Sequence, residues 1–444
     1  MYASDKKGRH GTIHRFIARG DDKSSSARRP ISRRVARTTT TVAVARATML
    51  DARGSTTMMR IAPHRHRHHR HHHDSVESSS SSTRRRARAS RAGASSSSAS
   101  RAPYDVVVVT GGLGFIGSTL VARVVARLDE FAASGATTVV VDDVDERGPY
   151  PASWKRANAV RTRALGRRVR VVERACDGAA LDACVAGARR AAFIHLAARS
   201  GVGAAASDVE GACRANVETV AAVYAAAARV GNGSRVVFAS SGSVYGDEAS
   251  STRASAVGDD ADAPTSSYAA TKRAGELLGK VYAQKMFGVE VVVTRVFTVF
   301  GPRGRPDMAI WKFIKQLESG ASLTRFGDGK TTWRDYVYVD DVADALIAAL
   351  VADVGDEPYR VVNVAGGAPV FLHEIIEACE RACGKSGRVE TLPQRPGDVG
   401  GTFADISDAV KLLDWRPRVS LEEGLRRTVE WWRSPDADAY RDVD

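Results

Sequence analysis

The body of this 444-residue chain has few of the residues that build metal centres and disulfide frameworks. Only two of its 11 histidines, His195 and His373, lie beyond residue 100, and its five cysteines (Cys176, Cys184, Cys213, Cys379, Cys383) form no C-x-x-C pair. Neither a disulfide scaffold nor a structural zinc site is indicated, and no metal site is expected. Long apolar runs are missing too: stretches such as residues 345–352 reach about eight residues, far short of the ~18 that suggest a membrane span. Acidic residues are scarce at one end only. Residues 1–100 hold 22 Lys and Arg against 6 Asp and Glu, whereas residues 101–444 hold 43 against 45. The formal net charge of +14 therefore belongs to the first hundred residues, and no nucleic-acid partner is expected of the nearly neutral body.

Residues 1–102 are rich in Arg, Ser, Ala and Thr, with a His/Arg run at 64–73 and a serine run at 78–82. So little apolar surface cannot offset chain entropy, and a disordered basic tail is expected. The composition is also that of an organelle transit peptide, with no apolar segment of the secretory kind. A plastid or mitochondrial address is the expectation, plastid first, and a cytoplasmic location the alternative. Two further readings stay open: an uninformative tail, since 53 of the 65 basic residues are Arg, and a nucleic-acid-binding arm. The histidine run has no surrounding groups to fix ligand geometry, so no metal function is assigned to it.

Order is expected from residue 103. Tyr104–Thr110 is a continuous apolar run of the kind buried on both faces of a parallel sheet. Residues 110–117 read Thr-Gly-Gly-Leu-Gly-Phe-Ile-Gly and pass into a helical pattern over 118–128. Glycines at 111, 114 and 117 permit a tight turn, and they let the backbone approach a pyrophosphate at a helix N-terminus, with Phe115 and Ile116 in the same turn. A second β-rich run, 137–141, ends in Asp142, which is placed to accept hydrogen bonds from an adenosine ribose and to favour NAD over NADP. Strands at 169–173, 192–197, 235–239 and 289–294 alternate with helices over 217–230 and through Tyr268. This implies a doubly wound α/β parallel sheet of the Rossmann kind. The expected division is a mainly NAD-binding domain over 103–296, a smaller, mainly nucleotide-sugar-binding C-terminal α/β region over 297–433, and a tail over 434–444.

Tyr268 and Lys272 lie four residues apart, on one face of a helix. Upstream, residues 239–246 (Ala-Ser-Ser-Gly-Ser-Val-Tyr-Gly) fall at the end of the fifth strand, the sheet edge where ligands bind. The glycine turn, His195-Leu-Ala-Ala198, this serine segment, Tyr-x-x-x-Lys and Arg334-Asp-Tyr-Val-Tyr-Val-Asp-Asp341 resemble the extended short-chain dehydrogenase/reductase family of nucleotide-sugar epimerases, over residues 104 to about 433. The resemblance implies that Tyr268 is the proton acceptor, that Lys272 holds the nicotinamide ribose and lowers the phenol's pKa, and that Ser241 bonds the reacting sugar oxygen. It further implies Leu196, Ala197 and Ala198 as cofactor contacts and Ser243 as a substrate contact. Relatives that dehydrate or decarboxylate carry an acid just before Val-Tyr-Gly; Gly242 and Ser243 stand there instead, which leaves reversible oxidation at C4 with retained NAD.

Residues 295–308 (Arg-Val-Phe-Thr-Val-Phe-Gly-Pro-Arg-Gly-Arg-Pro-Asp-Met) resemble the matching segment of UDP-glucuronate 4-epimerases. Thr298 and Arg305 are then expected to orient a C6 carboxylate, as hydroxyl and guanidinium chemistry allows. A pairing of Arg305 with Asp307 is the alternative. By the same resemblance Arg334 and Arg395 contact the diphosphate and Asp398 the nucleotide ribose. Three departures stand out: Ala175-Cys176 replaces an acid and an aliphatic residue at the adenine, Gly203 replaces an arginine, and the N-terminal membrane anchor of plant relatives is missing. The expected function is an NAD-dependent UDP-glucuronate 4-epimerase, acting as a homodimer through helices around 210–230 and 267–287. Alternatives are the same chemistry on UDP-glucose or another nucleotide sugar, and a non-catalytic Rossmann RNA-binding or scaffold protein.

Overall fold

Valines that alternate sides along one short strand set the layers. In β1 (Tyr104–Thr110), Val107 and Val109 face one apolar cluster while Val106 and Val108 face the other, so the strand is covered on both sides. The computed structural model describes residues 103–441, apart from 251–252, 285 and 394–399 and the side chains of 202–204 and 247–250. Strands β2 (Ala132–Asp142), β3 (Val169–Glu173), β4 (Ala191–His195), β5 (Ser234–Ser241) and β6 (Val289–Val296) follow in sequence. Then come β7 (Thr298–Phe300), β8 (Leu323–Phe326), β9 (Trp333–Tyr338), β10 (Tyr359–Val364), β11 (Pro369–Phe371) and β12 (Val389–Leu392).

Seven strands form one sheet in the order β10-β6-β5-β4-β1-β2-β3, and all of its pairs are parallel. The order reverses between β1 and β4, which opens a crevice beyond the carboxyl ends of these two strands. Helices α1 (Phe115–Arg127), α2 (Ala152–Arg163), α3 (Gly178–Val185), α4 (Val202–Ser207), α5 (Val209–Cys213) and α6 (Thr219–Val230) connect the first five strands. A single π turn, Arg214–Glu218, joins α5 to α6. Helix α7 (Ser267–Tyr282) precedes β6 and is capped by the Ser266 hydroxyl, which accepts from Ala269 N at 3.1 Å. The later helices are α8 (Ala309–Ser319), α9 (Val339–Val351), α10 (Leu372–Cys383), α11 (Ser407–Leu413), α12 (Leu421–Arg433) and α13 (Asp438–Arg441).

The doubly wound sheet is thus present, with small sheets β11-β9-β7 and β12-β8 in the C-terminal part. The chain crosses between these parts: β10, from the 297–433 stretch, pairs with β6 and completes the large sheet because Val362 and Val364 are buried there. Several expected boundaries shift, and the strands at 137–141, 235–239 and 289–294 extend to Ala132–Asp142, Ser234–Ser241 and Val289–Val296. Helix α1 begins at Phe115 directly after Gly114, β4 stops at His195, and α6 starts only beyond the π turn. Residues 434–441, expected as a tail, instead form a 3-10 turn (Pro435–Ala437) and α13, with Ala437 and Tyr440 buried. Among the described residues no helix is long and apolar enough to cross a membrane.

One buried carboxylate fixes α7 to the sheet. Glu276 is fully buried and accepts from Ser240 Oγ of β5 (2.6 Å), from Arg295 Nε and Nη2 of β6 (3.0 and 2.8 Å), and from Arg273 Nη1 (2.9 Å). Removing one partner of a buried ion pair strands the other, at a cost of about 3–5 kcal/mol. Glu276→Leu is accordingly expected to lower unfolding stability by about that amount in a denaturant titration, far more than replacement of the exposed Glu130.

Candidate active site

The glycine turn after β1 is shaped by close backbone approach. A Cβ on Gly117 would stand 2.3 Å from Gly111 O and 2.6 Å from Gly112 Cα, and one on Gly111 would stand 2.6 Å from Ala197 N. Gly111 also has φ +69°, in the left-handed region. Past Gly114 the first turn of α1 carries no acidic residue, and Gly111, Gly114, Phe115, Ile116 and Gly117 all line a cleft of about 980 Å³. That volume is at the upper end of the roughly 300–1,000 Å³ of ordinary ligand sites, enough for an extended ligand. Leu196, Ala197 and Ala198 line it beside the turn, beyond the end of β4.

Asp142 is buried at the end of β2 and holds the turn as well as facing the cleft. Its Oδ2 accepts from Leu113 N (3.1 Å), and its Oδ1 accepts from Val144 N (3.1 Å) and Lys155 Nζ (2.9 Å). Three of a carboxylate's roughly four acceptor directions are thus taken, leaving one on Oδ2 for a ligand hydroxyl. Ala175 and Cys176 line the same end of the cleft, where burial pushes the Cys176 thiol up to about 12 and keeps it protonated. The cleft is therefore a fitting cradle for a dinucleotide: the glycine turn, an N-terminal helix dipole and an acid at the second strand all converge on it.

At the other end of the cleft, α7 brings Tyr268 and Lys272 to the end of β5. Burial raises the Tyr268 pKa, while the positive charge of Arg305 and a hydrogen bond with Ser241 pull it back. Ser241 Oγ lies 3.1 Å from Ser243 Oγ and accepts from Ser243 N at 3.1 Å. Lys272 lies one helical turn after Tyr268. Its Nζ donates to Ala239 O (2.8 Å), sits over the Phe238 ring, and is 6.0 Å from the Tyr268 ring centroid. Burial lowers the lysine to about 8, opposed by the charge of Glu276. Gly242 has a steric reason: a Cβ there would come within 2.8 Å of the Phe297 ring, so an acid does not fit without displacing Phe297.

On the substrate side, Thr298, Arg305 and Arg334 all line the cleft. Arg305 is held bidentately by Asp307, with Nε to Oδ1 at 3.0 Å and Nη2 to Oδ2 at 2.6 Å, which is the alternative its sequence neighbourhood allowed. Arg334 Nη1 donates to Trp333 O (2.8 Å) and Gly400 O (3.3 Å). The neighbouring Asp335 takes the backbone N–H groups of Gly367 (2.9 Å) and Ala404 (3.2 Å). Arg395 and Asp398 lie outside the described residues, as do the side-chain surroundings of position 203. Among the described residues no group of three or more His, Cys, Asp or Glu is placed to hold a metal ion.

Two contributors were not read from the sequence. Asn216, in the π turn, accepts from Arg199 N (2.7 Å) and donates to Thr271 Oγ1 (2.9 Å), and so ties the loop after β4 to α7. Its only sequence signal is a lone amide in an alanine-rich helix. Glu276 is the other; it follows Lys272 by four residues, so it shares the face of Tyr268 and Lys272.

A parallel sheet with its crevice at the strand-order reversal, a glycine turn on one side and a Tyr-x-x-x-Lys helix on the other define a dinucleotide-dependent enzyme of the short-chain dehydrogenase/reductase type. Residues 107–365 match the NAD dependent epimerase/dehydratase family, and the chain belongs to that family. It is 40% identical over 241 residues to the UDP-glucuronate 4-epimerase of Thermodesulfobacterium geofontis, covering 54% of this chain and 72% of that relative. It is 33% identical over 342 residues to a probable UDP-glucuronate 4-epimerase of Rhizobium meliloti, covering 73% and 96%. The crystal structure of Bacillus cereus UDP-glucuronic acid 4-epimerase in complex with UDP-glucuronic acid and NAD is similar at a TM-score of 0.65 and 32% identity, covering 73% of this chain and 98% of that one.

Proposed function

We propose that this chain is an NAD-dependent epimerase that inverts C4 of UDP-glucuronate to give UDP-galacturonate. The observation that carries this reading is that Ser241, Tyr268, Lys272, Thr298 and Arg305 line one cleft with the glycine turn, in a chain similar to named UDP-glucuronate 4-epimerases. When bound, NAD supplies the reversible acceptor for the C4 hydrogen, so the reaction has no net redox change. Tyr268 takes the proton of the 4-hydroxyl and returns it, its phenolate favoured by Arg305 and by Ser241, which also holds the reacting oxygen. Lys272 serves the nicotinamide ribose as a charged donor. Thr298 and Arg305 orient the C6 carboxylate. This matters because the 4-keto sugar is a β-keto acid, and holding the carboxylate away from the carbonyl π-system suppresses loss of CO₂. In this reading a substrate carboxylate joins or replaces Asp307 on Arg305. Ser243 supports the sugar, Arg334 and Arg395 meet the diphosphate, and Asp398 meets the nucleotide ribose.

Gly203 in place of an arginine favours a second reading, the same chemistry on UDP-glucose. Incubation of the purified protein with UDP-glucuronate is expected to yield UDP-galacturonate by chromatography; turnover of UDP-glucose alone would establish the second reading. Tyr268→Phe is expected to lower kcat by at least about 10²-fold with NAD still bound. Arg305→Gln is expected to lower kcat/KM for UDP-glucuronate by about 10- to 100-fold. It is also expected to move the rising limb of the pH–rate profile to higher pH, because loss of the cation raises the pKa of the phenol that must ionise.

We infer a homodimer through α5, α6 and α7. Val209, Leu277 and Val281 are 51%, 50% and 46% exposed there, and Leu277 and Val281 stand one helical turn apart. Leu277→Glu is expected to give a monomer by light scattering, and a wild-type monomer at micromolar concentration would overturn the dimer. A plastid address for residues 1–102 rests on their composition; a fluorescent fusion of residues 1–103 is expected in plastids, and its retention in the cytosol would overturn that address.

A further inference from the structure

We propose that the C-terminal segment 435–441 is a positioning element of the cofactor site, acting on the glycine turn through a buried chain from Tyr440 to Asn158 to Leu113. The inference rests on the reading of that turn as a dinucleotide site. Leu113 stands between Gly112 and Gly114, and both of its peptide groups are committed. Its N–H donates to Asp142 Oδ2 at 3.1 Å, and its carbonyl accepts from Asn158 Nδ2 at 2.8 Å. Asn158 lies on α2 and is only 1% exposed. Its Nδ2 also donates to Tyr150 OH at 3.0 Å, while its Oδ1 accepts from Tyr440 OH at 2.5 Å.

The direction of these bonds gives Tyr440 its role. A buried amide must find partners for both ends: the Leu113 carbonyl only accepts, which sets Nδ2 toward it, and the Tyr440 hydroxyl donates to the Oδ1 that this leaves, so it holds Asn158 in place. Tyr440 is itself 1% exposed and wedged between Trp154 and Trp431, each with its ring centroid 5.3 Å away. Helix α13 is returned onto α12 by Arg441, whose Nε donates to Trp432 O at 3.0 Å and whose Nη2 donates to Ser434 O at 2.8 Å. The turn tolerates little displacement, because Gly111 and Gly117 already approach neighbouring backbone more closely than a Cβ would allow. Residues 435–441 therefore set the position of the peptide that directly precedes Gly114, which lines the cleft.

The test uses the full chain with Tyr440→Phe, which keeps the ring between the tryptophans and removes only the hydroxyl, and with Asn158→Asp, which keeps the size of the amide and removes its donor. Nucleotide released by acid from each purified protein is quantified, and the Kd for added NAD, kcat at saturating NAD and Tm are measured. Tyr440→Phe is expected to raise the Kd for NAD about 5- to 10-fold, the worth of one buried hydrogen bond, and Asn158→Asp more. Epimerase activity is expected to become dependent on added NAD, with kcat at saturation changed less than about twofold, a rescue that a general loss of packing would not show. Tyr440→Phe that binds NAD as tightly as wild type, or that loses activity without recovery at saturating NAD, overturns the proposal. A wild-type protein that neither contains nor binds NAD overturns the reading of the glycine turn itself and with it the proposal, so the two failures are distinct.

Discussion

The geometry of the reacting groups depends on one buried carboxylate. Glu276 lies eight residues after Tyr268 and four after Lys272, so all three share a helix face, and its oxygens are held by β5 through Ser240 and by β6 through Arg295. An uncompensated charge at a fully buried position is costly, so α7 has no low-energy way to slide or rotate against the sheet. That restraint sets Tyr268 against Ser241 and directs Lys272 to the carbonyl of Ala239. The same residue opposes the burial that lowers Lys272, whose amine sits beside Phe238.

The cleft separates its charges by task. At the glycine turn there is a helix N-terminus with no acid in its first turn, and the nearby acid Asp142 spends most of its acceptor capacity on the turn and on Lys155. At the other end Arg305 serves two purposes through one charge: it lowers the pKa of the Tyr268 phenol, and it presents a planar donor pair now held by Asp307. Base strength and carboxylate recognition are thereby coupled in the proposed reaction, because the cation that orients the sugar acid is also the one felt by the base.

Much of the fold and site was legible in the chain because the signals are local. The valine run of β1, the glycine spacing and the four-residue step from Tyr268 to Lys272 are short-range patterns, and each describes the element it sits on. The less legible parts depend on pairs far apart in sequence. Nothing around Tyr440 distinguishes it from a surface tyrosine in a polar tail; its partner Asn158 is 282 residues away. Similarly, the bond from Lys272 Nζ to the carbonyl of Ala239 and the reach of the Arg305 charge to the phenol depend on side-chain direction, which spacing does not carry. Gly242 is the reverse case: its lack of an acid was visible, while the Phe297 ring that excludes a side chain came only with the packing.

Local patterns along the chain specify the class of sheet, the place of the glycine turn, the tyrosine–lysine helix and the separation of a basic first hundred residues from a nearly neutral body. These follow from periodicity, spacing and composition, which need no knowledge of the neighbours. Only the packing shows that β10 completes the large sheet, that Asp142 serves the turn before any ligand, that the Arg305 charge reaches Tyr268, and that Tyr440 is wired to the first turn. Those outcomes turn on which buried polar groups find each other. A hydrogen bond or ion pair at 3 Å is fixed by the meeting of whole elements, and the residues that make it carry no mark of their partner.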